Sequence, residues 1–160
     1  MAESIALLSS VTAQFSVNTP SFYGYQNTVQ SLGNQTWTGL LMDVTVDDNY
    51  AGHSNVTNAN RYTCQLAGFY SVSGCYAPTS NSTGFRAVRI SKNATPLLGA
   101  SAYYAVNTVA EMGCCTPVVL VSLVPGDFVE VQGWQNTGGN LNTVLDTDLR
   151  CSLNVRFIHY

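Results

Sequence analysis

Apolar and polar residues alternate with a period of two through much of the chain, and the alternation breaks at clusters of Gly, Asn, Pro and Ser. From Trp37 the run TWTGLLMDVTVDD places Leu40, Met42, Val44 and Val46 on one face and Asp43, Thr45 and Asp47 on the other. Successive strand side chains point to opposite faces, so this run predicts one half-buried strand. RYTCQLAG repeats the pattern with Tyr62, Cys64 and Leu66, and after Ala67-Gly68 the run FYSVSGC continues it with Tyr70 and Val72. GFRAVRISKN predicts another strand, and LLGASAYYAVNTV an extended segment. TPVVLVSLV is apolar at both parities, the pattern of a strand covered on both faces. Val124-Pro125-Gly126-Asp127 supplies turn chemistry, so VVLVSL and FVEVQGW read as a hairpin. The strictest alternation closes the chain, with Leu149, Cys151, Leu153, Val155 and Phe157 set against Arg150, Ser152, Asn154 and Arg156.

No segment sustains a helical period, and there is no internal repeat. About seven to nine short strands between turn clusters predict an all-β, antiparallel two-sheet sandwich of the jelly-roll type. Residues 36–160 form that domain. Residues 1–35 are polar, with scattered Phe15, Phe22, Tyr23 and Tyr25, and read as an N-terminal arm plus a first strand.

Composition changes the picture in one respect. Charged residues make up 9% of the 160-residue chain, against about 25% in an ordinary soluble domain. Part of the surface is therefore expected to meet protein rather than water. The net charge is −3, and the basic residues Arg61, Arg86, Arg89, Lys92, Arg150 and Arg156 form no run, which argues against a nucleic-acid partner. The longest apolar stretch is far too short to cross a bilayer, so no membrane partner is expected. Glu3 stands where an export signal carries a cation, and IALL is too short for its apolar core, so synthesis in a cytosol is expected.

Candidate chemistry is sparse. Five dispersed cysteines, Cys64, Cys75, Cys114, Cys115 and Cys151, include no C-x-x-C pair. They read as reduced, buried, small hydrophobes, with a disulfide near Cys114 and Cys115, or a metal site, as the lesser alternatives. The Asn-x-Ser/Thr sequons at Asn34, Asn55, Asn81 and Asn93 occur at chance frequency in so Asn- and Thr-rich a chain. His53 and His159 are the only histidines. A nucleophile–base arrangement has little to draw on, and no catalytic residue is expected. Asp47-Asp48 and Asp146/Asp148 form two carboxylate clusters without a calcium-loop pattern; they read as solvated turns, with structural calcium as the lesser alternative, and no cofactor is expected.

NRYTCQLAGFYSVSG resembles the signature of the complement-one-q and tumour-necrosis-factor jelly-roll superfamily, where a strand passes through a glycine turn into an aromatic-rich strand. LVPGDFVEVQGWQ resembles its later Gly-Asp hairpin, FRAVRISKN falls between the two, and CSLNVRFI closes the chain, so the likeness spans about residues 36–158. TWTGLLMDVTVDDNYAGHSN and LVPGDFVEVQGWQNTGGNLNT are most similar to versions in bacteriophage virion proteins. No Gly-X-Y repeat is present, unlike the complement pattern.

The resemblance implies a homotrimer in which the strands carrying Phe69, Phe128 and Leu153 share one sheet whose outer face packs on neighbouring subunits. With Val129, Val131, Tyr70 and Leu153 inward, alternation sends Phe69, Phe128, Glu130, Gln132, Trp134, Arg150, Asn154 and Arg156 outward, and these are the expected interface residues. The expected role is that of a non-enzymatic virion structural protein, a trimeric decoration protein on the head of a tailed phage, with capsid or other virion proteins as partners. The alternative is a receptor-binding tip on a tail or head fibre, using the NTGGNLNT loop, Tyr103 and Tyr104.

Overall fold

The computed structural model describes residues 18–105 and 112–160. Within them all regular elements are strands, and every strand pairing is antiparallel. Sheet one holds β1 (Ser21–Tyr25), β4 (Val44–Asp48), β6 (Gly68–Tyr76), β9 (Cys114–Cys115), β10 (Val119–Leu123) and β13 (Ser152–His159). Its order is β10-β6-β13-β1-β4, with β9 joining β6 on the same edge as β10. Sheet two holds β3 (Thr38–Gly39), β5 (Tyr62–Thr63), β7 (Phe85–Lys92), β8 (Thr95–Ala105) and β11 (Phe128–Gln135). Its order is β3-β11-β7-β8, with β5 also on β11. β2 (Ser31–Leu32) and β12 (Leu141–Asn142) pair separately.

The expected jelly-roll sandwich is therefore present, and alternation explains its core. Phe22, Tyr70, Val72, Leu153 and Val155 from sheet one meet Val88, Ile90, Val129 and Val131 from sheet two, all fully buried. Each such burial contributes about 1.5–3 kcal/mol to folding. β1 sits between β13 and β4 and contributes Phe22 to this core, so the segment 18–25 is part of the sandwich. Residues 1–17, about half of the expected 1–35 arm and first strand, lie outside the described residues.

Three sequence expectations are corrected. The single strand expected from Trp37 to Asp47 is two strands in different sheets: β3 pairs with β11, whereas β4 pairs with β1. Between them Leu40 and Met42 stay inward while the chain crosses the sandwich, held by Leu40 N–H to Val131 O (2.9 Å) and Met42 N–H to Ala59 O (2.7 Å). After the crossing Val46 is exposed.

The expected hairpin at 124–127 is a corner, because β10 belongs to sheet one and β11 to sheet two. The turn forms as its chemistry dictates: Asp127 N–H donates to Val124 O at 2.9 Å, and Gly126 takes φ +94°. Its outer bonds go to the start of the aromatic-rich segment, Gly126 N–H to Cys64 O and Cys64 N–H to Asp127 O. Finally, the apolar run 117–124 is not covered on both faces. β10 is an edge strand whose Val121 and Leu123 point inward while Val118 and Leu120 are exposed.

Asp127 locks the corner. Its carboxylate accepts from Lys92 Nζ at 2.8 Å, Asn93 Nδ2 at 2.7 Å and Val124 N–H at 3.0 Å. These bonds, the Lys92 ammonium first, hold its pKa down to about 2 from the ordinary 3.8. A folded-state pKa below the unfolded one contributes stability above the unfolded value that is lost as pH falls through the folded one. Stability is thus expected to drop between about pH 4 and pH 2. Asp127→Asn should flatten that part of the profile in urea melts taken from pH 5 to 2; an unchanged slope would refute the assignment.

Candidate functional site

No catalytic constellation emerges from the described residues. His53 points Nδ1 at Arg61 O (2.8 Å) and Nε2 at Met42 O (2.7 Å), against the ring of Phe22. Both nitrogens are occupied by backbone carbonyls, which ties the ring to the crossing segment rather than to a nucleophile. Asp48 is likewise bound to backbone, accepting from Gly52 and His53 N–H at 3.0 and 2.9 Å. Asp47 accepts from Ser21 Oγ at 2.6 Å and pairs with Arg156 at 3.0 Å. Among the described residues no three His, Cys, Asp or Glu side chains gather as metal ligands do.

The cysteines differ from the sequence expectation. Cys75 of β6 and Cys115 of β9 form a disulfide, across a directly opposed pair of the ladder. Opposed residues bring their Cα atoms closest between hydrogen-bonded positions, here 4.0 Å, and the flanking bond is Thr116 N–H to Gly74 O. Cys64, Cys114 and Cys151 are free and buried, as expected. Burial pushes the Cys151 thiol up to about 12.

The expected interface residues do not share a face. β6 and β13 lie in sheet one, and β11 lies in sheet two, so Phe69, Arg150, Asn154 and Arg156 are separated by the core from Phe128, Glu130, Gln132 and Trp134. The resemblance located the strands by sequence order, which does not fix the sheet a strand joins.

The outer face of sheet one follows from its registers. One row across it runs Tyr23, Asn154, Ser73; the next runs Tyr25, Ser152, Cys75, Cys115; another runs Ser21, Arg156, Ser71, Leu120. Phe69 sits beyond these, opposite Ser122 and stacked on the His159 ring at 4.8 Å. Serines, Asn154 and Arg156 thus occupy the middle, and larger apolar groups the margins. At one end a cleft of about 590 Å³ is bordered by Tyr23, Tyr25, the disulfide and Arg150. Arg150 is committed within the chain, donating Nε to Asp146 O at 2.9 Å and Nη1 to Asn27.

The outer face of sheet two is a connected polar and aromatic layer. Glu130 is buried there and accepts from Asn60 Nδ2 (2.6 Å), Ser91 Oγ (2.9 Å) and Gln132 Nε2 (2.6 Å). Gln132 Oε1 in turn accepts from Arg89 Nε at 2.7 Å. The Arg89 guanidinium lies 3.9 Å over the Trp37 ring, whose neighbour is Trp134 at 6.3 Å. Arg61 covers Phe128 at 4.4 Å. Glu130 and Gln132 are therefore not bare interface positions, and Phe128 and Trp134 already have cover from this chain. Trp37, Asn60, Arg61 and Arg89 were not singled out from the sequence, since their convergence depends on the crossing of residues 40–43.

Two buried polar side chains organise the loops at one end of this sheet. Arg86 and Gln135 are opposed across β7 and β11, and both are fully buried. Arg86 donates to the carbonyls of Thr83 and Phe85 (3.0 Å each) and Asn81 (3.1 Å). Gln135 donates to Leu32 O and Gly139 O, and accepts both Thr137 donors at 2.8 Å. The glycine-rich NTGGN loop is thereby held from beneath, and Asn34 Oδ1 accepts from Gly138 N–H at 2.9 Å. A signal for both was present: each falls on the inward parity of its strand, where an apolar residue is the rule.

No family model and no curated protein matches the chain. Solved structures do. Murine APRIL at pH 5.0 superposes with a TM-score of 0.64 at 13% identity, over 88% of this chain and 100% of that one. Eiger TNF from S. frugiperda gives a TM-score of 0.58 at 13% identity, over 89% of this chain and 94% of that one. At such identity the likeness speaks to the fold, and the fold of this chain is the tumour-necrosis-factor-like jelly roll.

Proposed function

We propose that the protein is a non-enzymatic homotrimer and a structural component of a bacteriophage virion, carried on the head as a decoration protein. The observation that carries the trimer is β10. Its sequence is that of a strand covered on both sides, yet in one chain Val118 and Leu120 stand exposed at a sheet edge. An edge strand with an apolar outer row is a template for association unless something covers it. Leu120 is continuous through Ser71 with the polar, serine-rich middle of sheet one, and Ile158 and Tyr160 are exposed near the same end. A second copy fits this surface. Because the β10 edge and the sheet face are different surfaces, the contact is heterologous, and a heterologous contact related by a threefold rotation closes into a trimeric ring. Phe69, Asn154 and Arg156 stay in the proposed interface; the four β11 residues leave it.

The virion assignment rests on the phage-type likeness of the 36–55 and 123–143 segments. The disulfide agrees with it, since virion surfaces are among the oxidising settings where disulfides persist. Sedimentation equilibrium should give three times the 17.2 kDa chain mass, and Leu120→Arg should return the species to one chain. A wild-type monomer at micromolar concentration would end the proposal. Added to heads stripped of the protein, the trimer should rebind, and a chain lacking residues 1–17 should remain trimeric without rebinding. Coating of host cells in place of heads would favour the alternative, a receptor-binding tip.

A further inference from the structure

On the outer face of sheet two, Arg89 is held at two points. Its Nε is fixed by Gln132, which Glu130 fixes in turn, and its plane is fixed by Trp37. Both terminal nitrogens are without a hydrogen-bond partner among the described residues. Among the described residues the ion pairs are Lys92–Asp127 and Arg156–Asp47, and neither includes Arg89. An arginine held this way presents two parallel N–H donors, the fork that matches a carboxylate.

The neighbours narrow the ligand. Tyr103 lies diagonal to Arg89 across the β7–β8 pair, and it is 67% exposed; Phe85, one outward step beyond Ala87 on β7, is 52% exposed. Aromatic rings left in water on a rigid strand offer faces to the C–H surface of a pyranose. The adjoining 81–84 and 136–140 loops, pre-formed by Arg86 and Gln135, carry amides and hydroxyls but no charge. The neutral donors and acceptors suit the hydroxyls of a sugar, and the exposed rings suit its C–H faces.

We propose that the Arg89 and Tyr103 region is a binding site for a carboxylated sugar, the carboxylate on the Arg89 fork and the ring against Tyr103. The site lies within a single chain, on the sheet opposite the proposed subunit contact, so it stands or falls independently of the trimer.

The test is an NMR titration of the full-length protein with methyl β-D-glucuronide, with methyl β-D-glucoside as the probe lacking only the charge. The uronide should bind at least tenfold more tightly, perturbing the Arg89, Trp37 and Tyr103 side-chain signals. Arg89→Gln should erase that preference. Tyr103→Ala, at a position too exposed to disturb folding, should weaken both sugars severalfold with an unchanged melting temperature. Equal binding of the two sugars, absence of binding by either, or equal binding of an uncharged-ended peptide bearing one Glu would each overturn the proposal.

Discussion

Purified under air, the protein is expected to be two hydrogens lighter than its reduced sequence mass, and to lose about 4 kcal/mol of unfolding free energy when both Cys75 and Cys115 are replaced by Ala. The bond closes a loop with a sequence separation of 40 residues. Constraint of the unfolded chain by a loop that long is worth about 4 kcal/mol in the chain-entropy account. Little else is available locally, because β9 is two residues long and is fastened to β6 mainly through Thr116 and Gly74. A domain of this size has about 5–15 kcal/mol in total, so the double variant should unfold at a much lower urea concentration. The slope of the transition should steepen somewhat, since an unfolded chain freed of the cross-link is less compact and exposes more surface. Five titratable thiols in the native protein, or a loss below about 1 kcal/mol, would count decisively against the bond.

That disulfide also marks where reading the sequence stopped. Strand existence was legible because alternation is a local property: Tyr70 and Val72, or Leu153 and Val155, face inward wherever the strand lies. Sheet membership was not local. The crossing at Leu40–Met42 changes which parity faces inward and leaves Val46 exposed, but nothing in the local alternation marks it, so 37–48 read as one strand and became two. The Val124–Asp127 turn has the same chemistry at a hairpin as at a corner, and only its partners, Cys64 and Lys92, distinguish them. Opposition of Cys75 and Cys115 needs the register of β6 and β9, which sequence spacing does not supply. The candidate surfaces inherit these limits. Outward parity named Phe69, Phe128, Trp134 and Arg156, but assigning them to one face required a sheet order that the structure does not have. In the other direction, the apolar outer parity of β10 was read as burial, and the conflict between that pattern and its exposed position is what points to a second chain.

The spacing of the two sheets should be most sensitive at Gly74. This residue faces inward in the middle of β6, and a Cβ placed there would lie 2.7 Å from the Cβ of Val131 and 2.9 Å from the carbonyl oxygen of Ser152. Neither neighbour can yield by turning a side chain. The first is the root of a fully buried residue in the opposite sheet, and the second is backbone paired with β6 itself. Overpacking in a well-filled core is destabilising by about 1–3 kcal/mol, and more where backbone must shift. Gly74→Ala is therefore expected near the upper end of that range, and Gly74→Val beyond it, with little soluble protein recovered. Gly133 provides the comparison, because its Cβ would meet the far ends of Leu32, Leu40 and Tyr76 at 2.9–3.1 Å, groups that can move aside. Gly133→Ala should lie well below Gly74→Ala in urea melts. Gly139→Ala, where nothing lies within 4 Å, should stay within about 0.5 kcal/mol of wild type. If Gly133→Ala proved the costlier of the two core substitutions, the closest approach of the sheets would have to lie at the Leu32 and Tyr76 end, and the Gly74–Val131 contact would lose its place as the point that sets their separation.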